Sequence, residues 1–256
     1  MTEAGSGSDA FNLLTRAEPE GDGFLINGTK TFISNAPVAD LVIVFTMTDR
    51  SKGFHGGTTP FLVEKGTPGF RVSQKIEKMG LRTSPFGELI FEDVRVPASA
   101  ALGGVGGGAA MFTEAMDWER VLLFAAHVGT MERLLEEAIK YAKTRRQFGQ
   151  PIGKFQAVSH KITDMKVQLE AARLLTYRAA TRLETARGAS LDAAMAKLFV
   201  SESLVRVALD TVQIFGGYGY TTEYEIERAL RDAVGSTLYS GTSEIQRNII
   251  SRWLGL

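Results

Sequence analysis

Five short strings in this 256-residue chain carry groups that could hold or act on a small molecule. Residues 2–9 read T-E-A-G-S-G-S-D, small residues whose uncovered amides and hydroxyls can cradle a phosphate or a ring edge. The others are residues 30–35 (K-T-F-I-S-N), 145–149 (R-R-Q-F-G), 213–219 (Q-I-F-G-G-Y-G) and 239–246 (Y-S-G-T-S-E-I-Q). Taken singly, each is explained by turns, helix caps or a basic face. Residues 104–109 (G-V-G-G-G-A) fit the letters of the G-x-G-x-x-A dinucleotide fingerprint but not its setting. That fingerprint needs a strand running straight into the glycines and a parallel strand after the helix, whereas residues 97–102 intervene here and another helix follows. We read the run as a flexible hinge. Other chemistries fall away at once. With no cysteine there is no disulfide, thiolate metal site, iron–sulfur cluster or cysteine nucleophile. His55, His127 and His160 are too scattered to form a ligand set, so no metal is expected.

The elements that must position these groups follow from where the chain is punctuated. Six of the seven prolines lie at or before Pro97 and seventeen of the 27 glycines at or before Gly108. Between these breakers, residues 23–26, 41–45, 60–63 and 88–91 are apolar or alternating runs of strand length, and Asn27-Gly28 reads as a tight hairpin turn. The connections are too short and too glycine-rich for crossover helices, so residues 1–100 are expected to form an antiparallel β-barrel or sandwich, with 101–108 as the hinge. Beyond Gly108 the apolar residues recur at three- and four-residue spacing. Helices are expected over 109–143, 155–187, 191–215, 223–238 and 242–254, and the short breaks at 148–153 and 188–190 make an up-and-down bundle of residues 109–256. The fold class is α+β.

Charge and hydropathy narrow the partners. The chain has 29 basic and 29 acidic side chains, so no surplus draws it to nucleic acid or an anionic membrane. No apolar run approaches the roughly 20 residues that span a bilayer. Met1-Thr2-Glu3 does not begin a secretion signal, and a cytoplasmic location is expected.

In this order and spacing, the strings resemble the acyl-CoA dehydrogenase family over essentially the whole chain. Residues 2–9 match T-E-P-G-x-G-S-D with Ala4 in place of proline, and residues 27–35 match N-G-x-K-x-[FW]-I-[ST]-N. K-M-G-x-R follows at 78–82, R-x-x-F-G-x-P-I at 145–152, A-K at Ala196-Lys197, Q-I-x-G-G-x-G-Y at 213–220 and G-T-S-E-I-Q-R at 241–247. The resemblance implies an FAD enzyme that removes an α-proton and a β-hydride from an acyl thioester, leaving a double bond conjugated to the carbonyl. It implies that Thr2, Gly7 and Ser8 line FAD together with Phe32, Ile33 and Ser34. Arg145, Gln147, Phe148, Gln213 and Gly217 would bind FAD across a dimer interface, and Thr242 and Glu244 would complete the adenosine side. Ser8, Asp117, Arg120 and Gly241 would border the acyl substrate. A homo-oligomer, dimer or tetramer, and an electron-transfer flavoprotein are the implied partners.

Two departures from the family pattern bear on the chemistry. The family carries a helical domain of roughly a hundred residues before the first loop, forming the floor of the acyl pocket, and this sequence starts at that loop. An internal start, a separate chain supplying those helices and a minimal enzyme all stay open as readings. Most members also carry the catalytic glutamate in Y-E-G-T, where this chain has Tyr239-Ser240-Gly241-Thr242. A serine hydroxyl cannot be that base. A subset resembling isovaleryl-CoA dehydrogenase places the glutamate on the first long helix within D-x-E-R, here Asp117-Trp118-Glu119-Arg120, and the prolyl-carrier-protein dehydrogenases share the placement.

Glu119 is therefore the implied base, and Ser240 is expected to contribute only its backbone amide. The thioester α-proton is too weakly acidic for an unassisted carboxylate, so donors must meet the charge that develops on the carbonyl oxygen. A dry pocket would improve the carboxylate as a base. The plain alternatives are an ion pair of Glu119 with Arg120 or Arg145, and Ser240 as filler before a last helix whose capping box spans Ser243 to Gln246. Two other functions stand beside the dehydrogenase: a noncatalytic subunit completing a partner's site, and a flavin monooxygenase of the same fold. The monooxygenase needs no base, and Glu119 argues against it.

Overall fold

Apolar alternation between glycine and proline breakers produces six strands in the first part of the chain, and they assemble into one sheet. The strands of the computed structural model are β1 (Arg16–Glu20), β2 (Gly23–Ser34), β3 (Leu41–Met47), β4 (Thr58–Glu64), β5 (Phe70–Lys75) and β6 (Phe86–Pro97), with a short helix α1 (Gly53–Gly57) leading into β4. Their order is β4-β3-β1-β2-β6-β5. All neighbours are antiparallel except β1 and β3, which run parallel where Arg16 faces Met47, so the sheet is mixed rather than wholly antiparallel. Alternate residues on one face, including Ala17, Ile26, Val44, Phe61, Leu89, Phe91 and Val94, make the core of this unit. Each large side chain so buried contributes roughly 2 kcal/mol.

The hairpin expected at Asn27-Gly28 is corrected. The β1–β2 turn falls at Gly21-Asp22, with Gly21 at φ 59°, and Gly28 lies inside β2 at a bulge. Gly28 has φ 148°, and a Cβ there would meet the Thr15 Cα at 2.6 Å, so the glycine serves a close approach and not a reversal. Asn27 instead reaches across to Asp93, giving its Nδ2 to Oδ1 at 3.1 Å and accepting from the Asp93 amide at 2.9 Å. The glycine run before the first long helix rests on β4. The Gly106 amide donates to Thr59 Oγ1 at 3.0 Å, and a Cβ on Gly108 would meet the Thr58 carbonyl oxygen at 2.7 Å.

Helices make up most of the second half: α2 (Gly108–Thr144), α3 (Gln156–Thr185), α4 (Ala189–Phe215), α5 (Gly217–Tyr220), α6 (Ile226–Ser236) and α7 (Ser243–Trp253). Described residues are 1–185 and 189–256; the expected end of the second long helix and the start of the following break lie outside them. The chain divides into two compact units, 1–115 and 116–256, the division falling within α2. The break expected at 148–153 is a two-strand hairpin, β7 (Arg146–Gln147) and β8 (Gln150–Pro151). Phe148 and Gly149 turn it at φ 49° and 80°, as a two-residue reversal requires. The core of the second unit is built from positions spaced three and four apart, among them Phe124, Val128, Met131, Leu135 and Ala138 of α2 and Val200, Leu204, Val207 and Ala208 of α4. Among the described residues no helix is long and apolar enough to cross a membrane.

Candidate active site

The turn between α6 and α7 and the exposed face of α2 meet around one backbone peptide. Ser240 and Gly241 stand at φ 57° and 85°, which swings the chain into α7. Thr242 then caps that helix, its hydroxyl accepting from the Ile245 amide at 3.3 Å, so the cap lies one residue before the expected Ser243 box. The Ser243 amide goes to the Thr237 carbonyl at 3.0 Å. Gln246, the far end of the expected box, turns back instead and gives its Nε2 to the carbonyls of Ser240 at 3.1 Å and Gly241 at 2.8 Å.

Arg120 Nε donates to the same Ser240 carbonyl at 3.2 Å, while its Nη1 pairs with Asp117 Oδ1 at 3.3 Å. The second oxygen of Asp117 accepts from the Ser190 hydroxyl of α4. Burial pulls the Arg120 guanidinium down, opposed by the charges of Asp117 and Glu119. With the Ser240 carbonyl clamped from two helices, the Ser240–Gly241 peptide has a fixed direction; the Ser240 N–H, in the peptide before it, finds no acceptor among the described residues. Glu119 accepts from the Ser240 hydroxyl, Oγ to Oε1, at 2.5 Å. The alternative ion pair of Glu119 is not formed among the described residues. Arg120 is committed to Asp117 and Ser240, and Arg145 lies over the Tyr218 ring at 5.6 Å.

Behind the turn are three titratable groups that sequence reasoning did not single out for this site. Tyr239 OH and His127 Nε2 lie 2.5 Å apart. Burial first, and the Lys197 charge second, hold His127 down to about 4, so the imidazole is neutral at neutral pH and shares one hydrogen bond with the phenol. Burial pushes the Tyr239 phenol up. Lys197 is fully buried beneath the Phe124 ring, 5.4 Å from its centroid, and its Nζ has no hydrogen-bond partner among the described residues. Burial, then the neighbouring Arg120, bring it to about 8. The available signal was a single lysine inside the apolar run A-A-M-A-K-L-F-V and a histidine two turns beyond Glu119 on α2.

A second cluster in the same unit is a cleft of about 530 Å³ lined by Tyr141, Arg145, Gln147, Phe215, Gly217 and Tyr218, among others. Tyr141 and Phe215 stack at 4.1 Å. A side chain on Gly216 or Gly217 would meet only open space, and the Gly216 amide is taken by the Val212 carbonyl at 3.0 Å. Phe148 stands at the hairpin tip, 92% exposed. Gln213 is exposed on the last turn of α4, outside the cleft lining, and its carbonyl accepts from the Gly216 amide at 3.3 Å. Glu244, in the first turn of α7, is held below the usual carboxylate range by its own amide and the Thr242 hydroxyl. A cation, stacked aromatic faces and an open glycine backbone suit a nucleotide's phosphates and base, and the residues fit FAD.

In the first unit the loop of residues 2–9 is pinned beside β2. The Thr31 amide donates to the Thr2 carbonyl at 2.9 Å. Buried Glu3 accepts from Lys30 Nζ at 2.6 Å and from the amides of Leu14 at 2.7 Å and Thr15 at 3.0 Å. Burial alone would raise the Glu3 carboxyl, but these hydrogen bonds and the Lys30 charge win and hold it below its usual range. Thr2 therefore sits against the strand that carries Phe32, Ile33 and Ser34, while Gly7 and Ser8 are exposed on the loop. Phe32 leaves the strand line at φ 57° and stacks on Phe86 at 5.8 Å. The Glu3–Lys30 pair lies inside two of the quoted strings, and its role as their anchor was not foreseen.

Known proteins place this arrangement. Residues 1–94 match the acyl-CoA dehydrogenase middle domain and residues 106–255 the acyl-CoA dehydrogenase C-terminal domain. The chain belongs to the acyl-CoA dehydrogenase family. It is 45% identical to an L-prolyl-[peptidyl-carrier protein] dehydrogenase of Pseudomonas fluorescens, covering 100% of this chain and 67% of that one. It is 46% identical to a short-chain-specific acyl-CoA dehydrogenase of Megasphaera elsdenii, over 96% of this chain and 64% of the relative. The solved FAD complex of PigA superposes with a TM-score of 0.97 at 44% identity, covering 100% of this chain and 66% of that one. The chain spans about two thirds of the length of the curated relatives it matches.

Proposed function

We propose that this chain carries out α,β-dehydrogenation of an acyl thioester, with Glu119 as the α-proton base and the Ser240 amide as the donor to the enolate oxygen. One observation carries the reading: the fold brings Glu119, 121 positions before Ser240, onto a turn whose N–H is unpaired. A base and an oxyanion donor at one turn are what proton removal next to a carbonyl requires. Arg120 and Gln246, by gripping the Ser240 carbonyl, fix the Ser240–Gly241 peptide that follows that N–H. Asp117 holds Arg120 in place and is itself held by Ser190.

The cofactor is FAD, which supplies a hydride acceptor at its N5 edge. In this reading Thr2, Gly7, Ser8, Phe32, Ile33 and Ser34 would line it, Arg145, Gln147, Phe148, Gln213 and Gly217 would bind it across a dimer interface, and Thr242 and Glu244 would complete its adenosine side. Ser8, Asp117, Arg120 and Gly241 would border the acyl group. The substrate is carried on CoA or on the pantetheine arm of a carrier protein, a choice supported on both sides by the relatives named above. The holoenzyme self-associates in this reading and passes its electrons to an electron-transfer flavoprotein.

Anaerobic mixing of the flavin-loaded protein with butyryl-CoA and, separately, with a prolyl-loaded carrier protein tests it. Bleaching of the oxidised flavin by either is expected. A flavin that no thioester reduces, or one that inserts oxygen with NADH and a flavin reductase, contradicts the reading and favours a noncatalytic subunit or a monooxygenase respectively.

A further inference from the structure

The hydroxyl of Ser240 does something its amide does not. Ser240 adopts a left-handed backbone conformation that is strained for a residue with a Cβ, and its carbonyl is clamped by Arg120 and Gln246. Held in that conformation, its side chain reaches Glu119 Oε1. Glu119 is on the exposed face of α2, where a glutamate otherwise samples several rotamers, and holding one of them takes a partner. No other hydrogen bond to its carboxylate is formed among the described residues.

We infer that the Ser240 hydroxyl is a positioning residue for the α-proton base, donating to Oε1 of Glu119 so that the carboxylate is held in one rotamer with Oε2 left to receive the proton. This deepens the reading of Glu119 as the base and rests on it. A hydroxyl-to-carboxylate hydrogen bond is charge-assisted and directional, so it occupies one oxygen and orders the other. The other groups facing Glu119 are Arg120 on its own helix and the Tyr239 phenol from the turn, with Lys197 of α4 and Glu244 of α7 around that turn. All remain when the hydroxyl is removed, so a change on its removal reports the hydroxyl.

The test uses protein labelled with 13C at the glutamate side-chain carboxyl, in which the resonance absent from Glu119→Gln belongs to Glu119. Removing the hydroxyl in Ser240→Ala should move that resonance at neutral pH to the position shared by the exposed glutamates, through the loss of one charge-assisted hydrogen bond. Ser240→Gly removes the same hydroxyl while relieving the backbone strain, and should move it equally. In both variants flavin reduction by thioester should slow several-fold with substrate affinity unchanged. A resonance unmoved in the two variants, or moved in Ser240→Ala alone, overturns the inference. If the resonance moves but Glu119→Gln reduces its flavin at the parent rate, the hydroxyl does hold Glu119 and the assignment of Glu119 as base is what fails.

Discussion

A carboxylate becomes an α-proton base only when a donor stands ready for the charge it creates, and in the proposed reading that donor is the Ser240 N–H, in the peptide just before the carbonyl that Arg120 and Gln246 hold. The residues behind that peptide set its pH tolerance. His127 is neutral in the folded protein, held at about 4 against an ordinary value of 6.5, so the unfolded chain takes up a proton first as pH falls. The stability contributed by the neutral imidazole is complete above pH about 6.5 and is lost progressively toward pH 4. Replacing it in His127→Gln, which can still accept from Tyr239, should flatten the decline in denaturation midpoint over that window. An equally steep decline would show that another group titrates there. At this scale the sequence was half legible. The D-x-E-R string pointed to Glu119, but the hydroxyl partner lies 121 residues away and no spacing rule connects them. The cap was misread by one residue because Ser243, with Gln246 three residues on, satisfies the capping-box pattern and Thr242 does not, yet the chain leaving the left-handed pair Ser240-Gly241 brings the Thr242 hydroxyl to the Ile245 amide.

At the scale of elements, one ion pair joins the loop of residues 2–9 to β2. Lys30 and Glu3 are almost wholly buried, and removing one partner leaves the other as a lone buried charge. Lys30→Met should therefore cost about 3 kcal/mol in urea unfolding. The double variant Glu3→Gln, Lys30→Met should recover much of that loss, and a double variant as unstable as the single would show that packing and not charge is at stake. Strands and helices themselves were largely legible, since the period of apolar residues changes from two to three-and-four at the glycine run. Asn27-Gly28 misled because the dipeptide that turns a hairpin also relieves a close approach, and only the position of Thr15 distinguishes the two. The parallel contact of β1 with β3 was invisible for the related reason that β1 is short, carries Pro19 and has an irregular apolar pattern.

The whole molecule is an α+β member of the acyl-CoA dehydrogenase family, and its flavin claim can be tested away from the chemistry. Phe148, 92% exposed at its hairpin tip, packs almost nothing in the chain itself. Phe148→Ala should leave the melting temperature of the flavin-free protein unchanged and weaken FAD binding about tenfold, the loss of one stacking contact. A lowered melting temperature with unchanged FAD affinity would assign the ring to folding instead. Family membership was legible because seven strings fall in one order over the chain, a coincidence that no single string provides. The central claim is that Glu119 removes the α-proton, and rapid-mixing absorbance of the oxidised flavin in parent and Glu119→Gln, each loaded with FAD and mixed anaerobically with thioester, addresses it most directly. Glutamine keeps the shape and the Ser240 contact but cannot take a proton, so flavin reduction should slow by about 10² to 10⁴ with substrate still bound. Reduction at the parent rate would contradict the account.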